Sequence, residues 1–172
     1  MTSTDLKSRA DVSFFEKLMK MGIQDGELDD IEDECDLTHY FTPINQKYGC
    51  GVYARELRMP RGSLIVGKLH AQDHLAFLLE GEVTIISENF KETVKAPHTF
   101  VSPVGAKRAF FVHEEALLTT IHLTSEPSAD ALEVIEEEVI AENYTVLGLE
   151  EPDLSQFDLE LEKIRNKNNE LD

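Results

Sequence analysis

The chain has 172 residues, with 34 acidic and 16 basic side chains and a formal net charge of −18, which suits one domain with extensions. So acidic a surface repels nucleic acid phosphates, and we expect no direct DNA or RNA binding. A membrane span and a signal peptide are not expected either, because no apolar stretch is long enough and residues 1–20 lack the pattern of a leader. Cys35 and Cys50 form no zinc or redox motif, which predicts reduced thiols in a cytoplasmic protein.

The excess negative charge lies in the two flanks of the chain. Residues 1–36 carry −7 and residues 125–172 carry −12, whereas the middle carries +1. Acidic flanks either keep a protein in solution or dock onto a basic partner surface, and the sequence leaves both possibilities open. The chain is therefore divided into an acidic N-terminal arm, a central domain and an acidic C-terminal extension, at 1–37, 38–125 and 126–172.

The N-terminal arm contains one predicted helix. Residues 1–10 are polar and are expected to be loose. Phe14, Leu18 and Met21 recur near helical spacing, which predicts an amphipathic helix over 11–21 that ends at Gly22. The acidic run at 25–36 lacks the EF-hand pattern and is interpreted as a solvated loop or short helix.

From about residue 38 the pattern becomes that of short strands separated by glycine and proline turns. Such spacing predicts an all-β barrel or sandwich. Within 63–70, residues Lys68 and His70 share one face of the predicted strand. Glu80 and Gly81 are predicted to form a turn. The predicted strands are 52–58, 63–70, 75–79, 82–87, 92–95, 99–102, 109–112 and 117–124.

After Pro127 the pattern becomes helical. Leu132, Ile135 and Val139 form one apolar stripe, with Ser128 or Asp130 as the predicted cap. A second stripe consists of Leu154, Phe157, Leu161 and Ile164. These stripes must be buried, either on the barrel of the same chain or on a neighbouring subunit.

Two histidines stand in a frame of regular spacing: Gly62, five residues, Lys68-Leu69-His70, three residues, His74, six residues, Gly81. This frame resembles the first motif of the cupins, with Lys68 in place of the first histidine and His74 in place of the glutamate. Downstream, Pro97 and Pro103-Val104-Gly105 resemble the second motif, with Arg108 in place of the last ligand and Val112 in place of an asparagine.

The resemblance covers about residues 50–124 and implies a jelly-roll β-barrel with helical extensions. The segments 52–60 and 119–122 also resemble a group of short cupins found in tailed phages and some bacteria. Cupin barrels of this kind commonly pair through their sheets, which implies a homo-oligomer. Together with the acidic flanks, the resemblance predicts docking into a larger assembly through 1–37 and 126–172.

The resemblance implies a metal site at His70 and His74, and His122 is the best third ligand. Such a set would hold one divalent ion of iron, manganese, nickel, copper or zinc, although the site could also lack a metal. Lys68 and Arg108 replace two ligands and are predicted to bind an anionic group. Alternatively, Arg108 pairs with Glu80 or Glu82, and Lys68 extends into solvent. His98 and His113 are predicted in exposed turns, and no partner is predicted for His39.

Two functions follow. The preferred one is a structural or accessory interaction module, associated with a phage virion or cytoplasmic, because the ligand set departs from the cupin pattern. The alternative is a metal-dependent cupin enzyme, of a dioxygenase or isomerase type, that acts on a small anionic substrate. Fold alone does not decide between them.

Overall fold

The structure is a computed structural model that describes residues 3–31, 34–88 and 90–169. Within these residues the helices are α1 (Ser3–Gln24), α2 (Leu132–Val139) and α3 (Asp158–Asn169). The strands are β1 (Asp36–Phe41), β2 (Gly51–Met59), β3 (Leu64–Val66), β4 (His74–Ser87), β5 (Phe90–Lys95), β6 (His98–Ser102) and β7 (Ala109–Thr124). None of the described helices combines the length and hydropathy of a membrane span.

The strands are all paired antiparallel, in the order β1-β2-β7-β4-β5, with β3 also paired to β7 and β6 also paired to β4. The two longest strands, β4 and β7, pair with each other and with shorter strands on their far sides. The predicted fold class is therefore confirmed: a mostly antiparallel jelly-roll arrangement with helices at both ends.

The predicted turn at Glu80 and Gly81 is wrong, because β4 runs through both residues. Its register against β7 shifts repeatedly around Glu80–Glu82, which is the signature of a β-bulge. Gly81 has φ of +84°, and a Cβ there would lie 2.2 Å from the carbonyl oxygen of Glu115. One bent strand therefore replaces two predicted strands, and β7 is likewise continuous where two strands were predicted.

The strand predicted over 63–70 is shorter than expected, because β3 ends at Val66. The chain then forms a loop that is held by backbone hydrogen bonds: Gly67 donates to Arg108, and Gly105 donates to His70, both at 2.8 Å. The two-residue alternation of a strand does not extend into this loop. Lys68 and His70 nevertheless both border the same cavity, as predicted, whereas Leu69 between them is buried away from it, and the end of the Lys68 side chain is exposed.

The main apolar core lies on the inner face of the sheet. Met59, Leu78, Val83 and Val112 are almost fully buried in it. Because these side chains come from β2, β4 and β7, the core fixes the relative position of the three strands that carry most of the candidate site.

The helical extensions pack on the barrel of the same chain. In α2, Ile135 and Val139 are buried against Tyr53 of β2. The rings of Phe14 in α1 and Phe157 before α3 stack at 4.0 Å between centroids. The α2 stripe is therefore buried on the barrel of the same chain, whereas the second stripe contacts α1 through Phe157.

Details of the extensions differ from the prediction. The helix predicted over 11–21 lies inside α1, which already begins at Ser3, so residues 3–10 are helical and not loose. Ser128 makes no side-chain capping bond, and residues 129–131 form a short 3₁₀ turn. Glu32, Asp33 and the side chain of Ile164 lie outside the described residues.

Candidate metal centre and cavity

The inner face of the sheet and the N-terminal arm enclose a cavity of about 660 Å³. The sheet contributes mainly apolar side chains, from Leu57, Ile65, Ala76, Phe100, Phe110 and Leu118. The opposite wall comes from the N-terminal arm, with Met19, Ile23, Leu28, Ile31 and Cys35. The sequence did not predict this wall, although apolar side chains in an acidic arm signal that the arm must cover something.

The structure brings His70, His74 and His122 together, and His70 and His74 line part of the cavity. His74 begins β4 and His122 lies on β7, at inward positions of the two paired central strands. His70 lies in the loop after β3, which is fixed by its backbone bonds to Ala106 and Gly105. One ring nitrogen of each histidine lies within 4.8 Å of the others, and the ring centroids are 4.1, 4.4 and 5.5 Å apart.

The hydrogen bonds of the cluster leave ring nitrogens available. His74 Nδ1 is 3.2 Å from the carbonyl oxygen of Gln72, so Nδ1 donates and Nε2 keeps its lone pair. The Nδ1 atoms of His70 and His122 are buried and have no hydrogen-bond partner in the described part of the chain. Unpaired buried polar atoms are costly and call for an explanation, and a bound ion is one.

The histidines are electrically neutral at physiological pH. Burial, together with the neighbouring His74, lowers the pKa of both His70 and His122 to about 3. Burial also lowers the pKa of His74, although its bond to the Gln72 carbonyl acts in the opposite direction. Neutral imidazole is the form that binds metals, so protons do not compete for these ligands near neutral pH.

A divalent transition metal fits this set of residues. Three imidazoles without a carboxylate suit zinc, copper, iron or nickel, and leave coordination positions open. Ligand nitrogens about 2.1 Å from one ion lie at most about 4.2 Å apart. Because the observed limit is 4.8 Å, small side-chain rotations close the group onto an ion. The Gln72 side chain fixes the backbone next to His122, since it donates a hydrogen bond to the carbonyl oxygen of Leu123 and accepts one from the N–H of Leu123.

Arg108 points into the cavity beside the histidines. Its side chain is 7% exposed, donates a hydrogen bond to Ser102 and lies 5.3 Å from the ring centroid of Phe100. The alternative pairing with Glu80 or Glu82 is not observed, because Arg58 pairs with Glu80 at 2.9 Å and Lys95 with Glu82 at 3.7 Å.

Lys68 borders the cavity, but its side chain is 52% exposed and its Nζ pairs with Glu136 at 3.4 Å. Its predicted anion-binding role therefore stays a prediction. A different cation, Arg55 of β2, lines the cavity and was missed. Its strand alternates, and Arg55 shares the inward parity of buried Tyr53, which was the available signal.

The other histidines lie outside the cluster. His113 is not in a turn but in β7, where its Nε2 bonds Thr84 Oγ1 at 2.7 Å. His98 is not fully exposed but begins β6, partly buried beside Phe100. His39 does have a partner, since its Nδ1 is 2.8 Å from the hydroxyl oxygen of Tyr53.

Topology and motif positions together define a cupin-like jelly roll. Strands β2 and β3 pair with β7, β5 and β6 pair with β4, and the motif glycines Gly81 and Gly105 both have positive φ. The cupin resemblance is thus confirmed at the level of the fold, with helical extensions at both ends.

No known protein family and no curated protein matches the sequence. Similar solved structures include KdgF from Halomonas sp., with 18% identity over 62% of this chain and 94% of that chain and a TM-score of 0.45. A cupin 2 conserved barrel domain protein from Leptotrichia buccalis has 13% identity, over 62% and 49%, with a TM-score of 0.45. An acetylacetone dioxygenase from Acinetobacter johnsonii has 20% identity, over 56% and 66%, with a TM-score of 0.40. At TM-scores below 0.5 and identities of 20% or less, these similarities carry no argument about the function of this chain.

Proposed function

We propose that this protein binds one divalent transition-metal ion through His70, His74 and His122 and presents it to a small molecule in the cavity. The observation that carries the proposal is a group of three neutral, largely buried imidazoles whose ligand atoms lie within 4.8 Å. A metal bound there would supply Lewis acidity at its open positions.

The protein residues would position and shield this centre. The Gln72 carbonyl holds His74 in the tautomer that directs Nε2 away from the backbone. The mainly apolar walls would shield the part of the bound molecule that contacts them from water. This arrangement supports the enzymatic alternative, in which a small substrate is transformed in a dioxygenase-like or isomerase-like reaction, over the preferred accessory role.

An accessory role in a phage particle and docking through 1–37 and 126–172 stay predictions. Homo-oligomer formation has one supporting observation. Leu75 and Val101 are neighbours across β4 and β6, on the outer face of the sheet, and both are largely exposed together with Leu123. Exposed apolar side chains that cluster are typical of protein interfaces.

Metal analysis of the purified protein tests the proposal. We expect about one equivalent of a transition metal per chain, and a loss of affinity of at least about 10-fold in His122→Ala. His98→Ala is the matched control, because His98 lies outside the cluster, and it should bind like the wild type. The proposal fails if the wild-type protein binds no added zinc or cobalt at micromolar concentrations, or if both variants lose metal equally.

A further inference from the structure

We propose that the cavity binds a small molecule with an apolar body and one carboxylate, and that Arg55 and Arg108 hold the carboxylate beside the histidine cluster. The inference deepens the proposed function and rests on it, since the carboxylate would lie next to the open positions of the metal. Arg55 is not among the site residues that were predicted from the sequence.

Arg108 is a buried cation that shares its nearby negative charge, because the carboxylate of Glu88 acts on it from a distance and is itself paired with Arg9 at 2.8 Å. Its Nη1 donates to the Ser102 hydroxyl, while its Nε is buried and has no partner among the described residues. None of the ion pairs in the described part of the chain includes Arg108. A buried guanidinium needs a charged partner with good geometry, and a ligand carboxylate accepts two parallel hydrogen bonds from it.

Arg55 lies on β2, on the same inward face of the sheet as the histidine cluster. Tyr53 pairs with His122, and in the next inward row Arg55 pairs with Thr120, which in turn pairs with Ala76. Thr120 and Ala76 are small, so this row leaves space between Arg55 and the far wall, where Phe100 and Arg108 lie. None of the ion pairs within residues 3–31, 34–88 and 90–169 involves Arg55.

The charges of the cavity orient such a ligand. At the histidine end the cluster is neutral and the two guanidinium groups are positive, and a divalent ion would add to this positive charge. On the N-terminal arm, by contrast, the charged lining residues are Lys20, Asp29 and Asp30, which leaves one net negative charge there. A carboxylate is therefore attracted to the histidine end and repelled from the arm.

The walls between these ends suit an apolar body. They are formed by aliphatic and aromatic side chains of the sheet and, from the arm, by Met19, Ile23, Leu28 and Ile31. The volume of about 660 Å³ is within the range of small-molecule sites. A ligand that is charged at one end and apolar along its length matches both the lining and its charge.

Calorimetric titration with hexanoate, its neutral analogue hexanamide, and acetate tests the inference. Each compound is titrated into full-length protein, once metal-free and once zinc-loaded. We expect hexanoate to bind both forms, and hexanamide and acetate to bind at least about 10-fold more weakly. Arg108→Gln and Arg55→Gln should each weaken hexanoate binding by about 10-fold or more. Arg61→Gln, which removes an exposed arginine, is the matched control and should bind like the wild type.

The outcomes separate the two proposals. If zinc does not bind but hexanoate binding depends on the arginines, the metal proposal fails and the ligand assignment stands. If zinc binds but hexanoate does not bind, or binds no better than hexanamide, the ligand assignment is overturned. Equal hexanoate binding by wild type and Arg55→Gln also overturns it, and this half-buried position gives a decision even if Arg108→Gln does not fold by circular dichroism.

Discussion

Acidification should destabilise the metal-free protein through its buried histidines. The pKa of His70 and His122 is about 3 in the folded state and near 6.5 in the unfolded chain. Between these values the unfolded state binds more protons than the folded state. The contribution of the two histidines to the free energy of unfolding is therefore fully present above about pH 6.5 and is lost as the pH drops toward 3.

The magnitude follows from the two pKa values. Between about pH 7 and pH 5, each histidine that stays neutral in the fold lowers the free energy of unfolding by at most about 2 kcal/mol. His122 is 2% exposed, so little solvent screening reduces its share. The two residues together give at most about 4 kcal/mol, a large part of the roughly 5–15 kcal/mol that stabilises a typical domain.

Urea denaturation with EDTA, at several pH values between about 7 and 5, measures this slope. The double variant His70→Gln/His122→Gln should lose at least half of it, whereas His98→Gln should keep the wild-type slope. Glu16 and Glu138 do not interfere, because their pKa values are lowered from 4.5 and their contributions are lost only at more acidic pH. A wild-type stability that is constant over this range, or an unchanged slope in the double variant, would refute the reasoning.

Three further variants test the packing and the site. Ile135→Ala should lower the free energy of unfolding by about 2–5 kcal/mol, since Ile135 is fully buried. Val134→Ala, at an exposed position, should change it by less than about 0.5 kcal/mol. Similar losses for both variants in urea denaturation would contradict the packing of α2. Gly81→Ala should lower the melting temperature far more than Gly49→Ala. Both glycines have positive φ, but only at Gly81 would the added Cβ lie 2.2 Å from a backbone oxygen. Equal shifts would contradict the bulge. Lys68→Gln should change hexanoate affinity less than about twofold, since the ion pair of Lys68 is exposed. A loss of about 10-fold in calorimetry would show that Lys68 binds the carboxylate.

Much of the fold could be predicted because it depends on local rules. Alternation along β2 and the late part of β7 set which side chains face inward, and the spacing from Gly62 to Gly81 matched one known frame. The same parity placed His122 on a strand face that could line the pocket. What remained open was which face is the inner one, and that depends on the pairing of β7 with both β2 and β4.

The misses arise where alternation stops. Parity assigned Lys68 to the cavity, and Lys68 does border it, but the chain leaves strand geometry after Val66 and the Nζ of Lys68 pairs with the exposed Glu136. The turn predicted at Gly81 became a bulge because β4 and β7 continue to pair on both sides of it. The apolar side chains of the N-terminal arm indicate that it covers another surface, but which surface could not be predicted, because the periodicity of one segment does not identify a distant partner segment.

The substitutions in the cupin-like frame change the charge of the centre in one direction. The pattern that the frame resembles includes a glutamate, which offsets part of the charge of a divalent ion. Here His74 takes that position and Arg108 takes the place of a further ligand, so the described centre holds three neutral imidazoles beside two guanidinium groups. A bound divalent ion would then lack a carboxylate in the ligand group, and since Glu88 and Asp73 act on Arg108 and His74 only from a distance, we expect an anion from outside to balance part of the positive charge. The two guanidinium groups disfavour a metal ion on its own but favour one that binds together with an anion. If both bind as proposed, hexanoate should bind zinc-loaded protein more tightly than metal-free protein, and zinc should bind more tightly in the presence of hexanoate by the same factor.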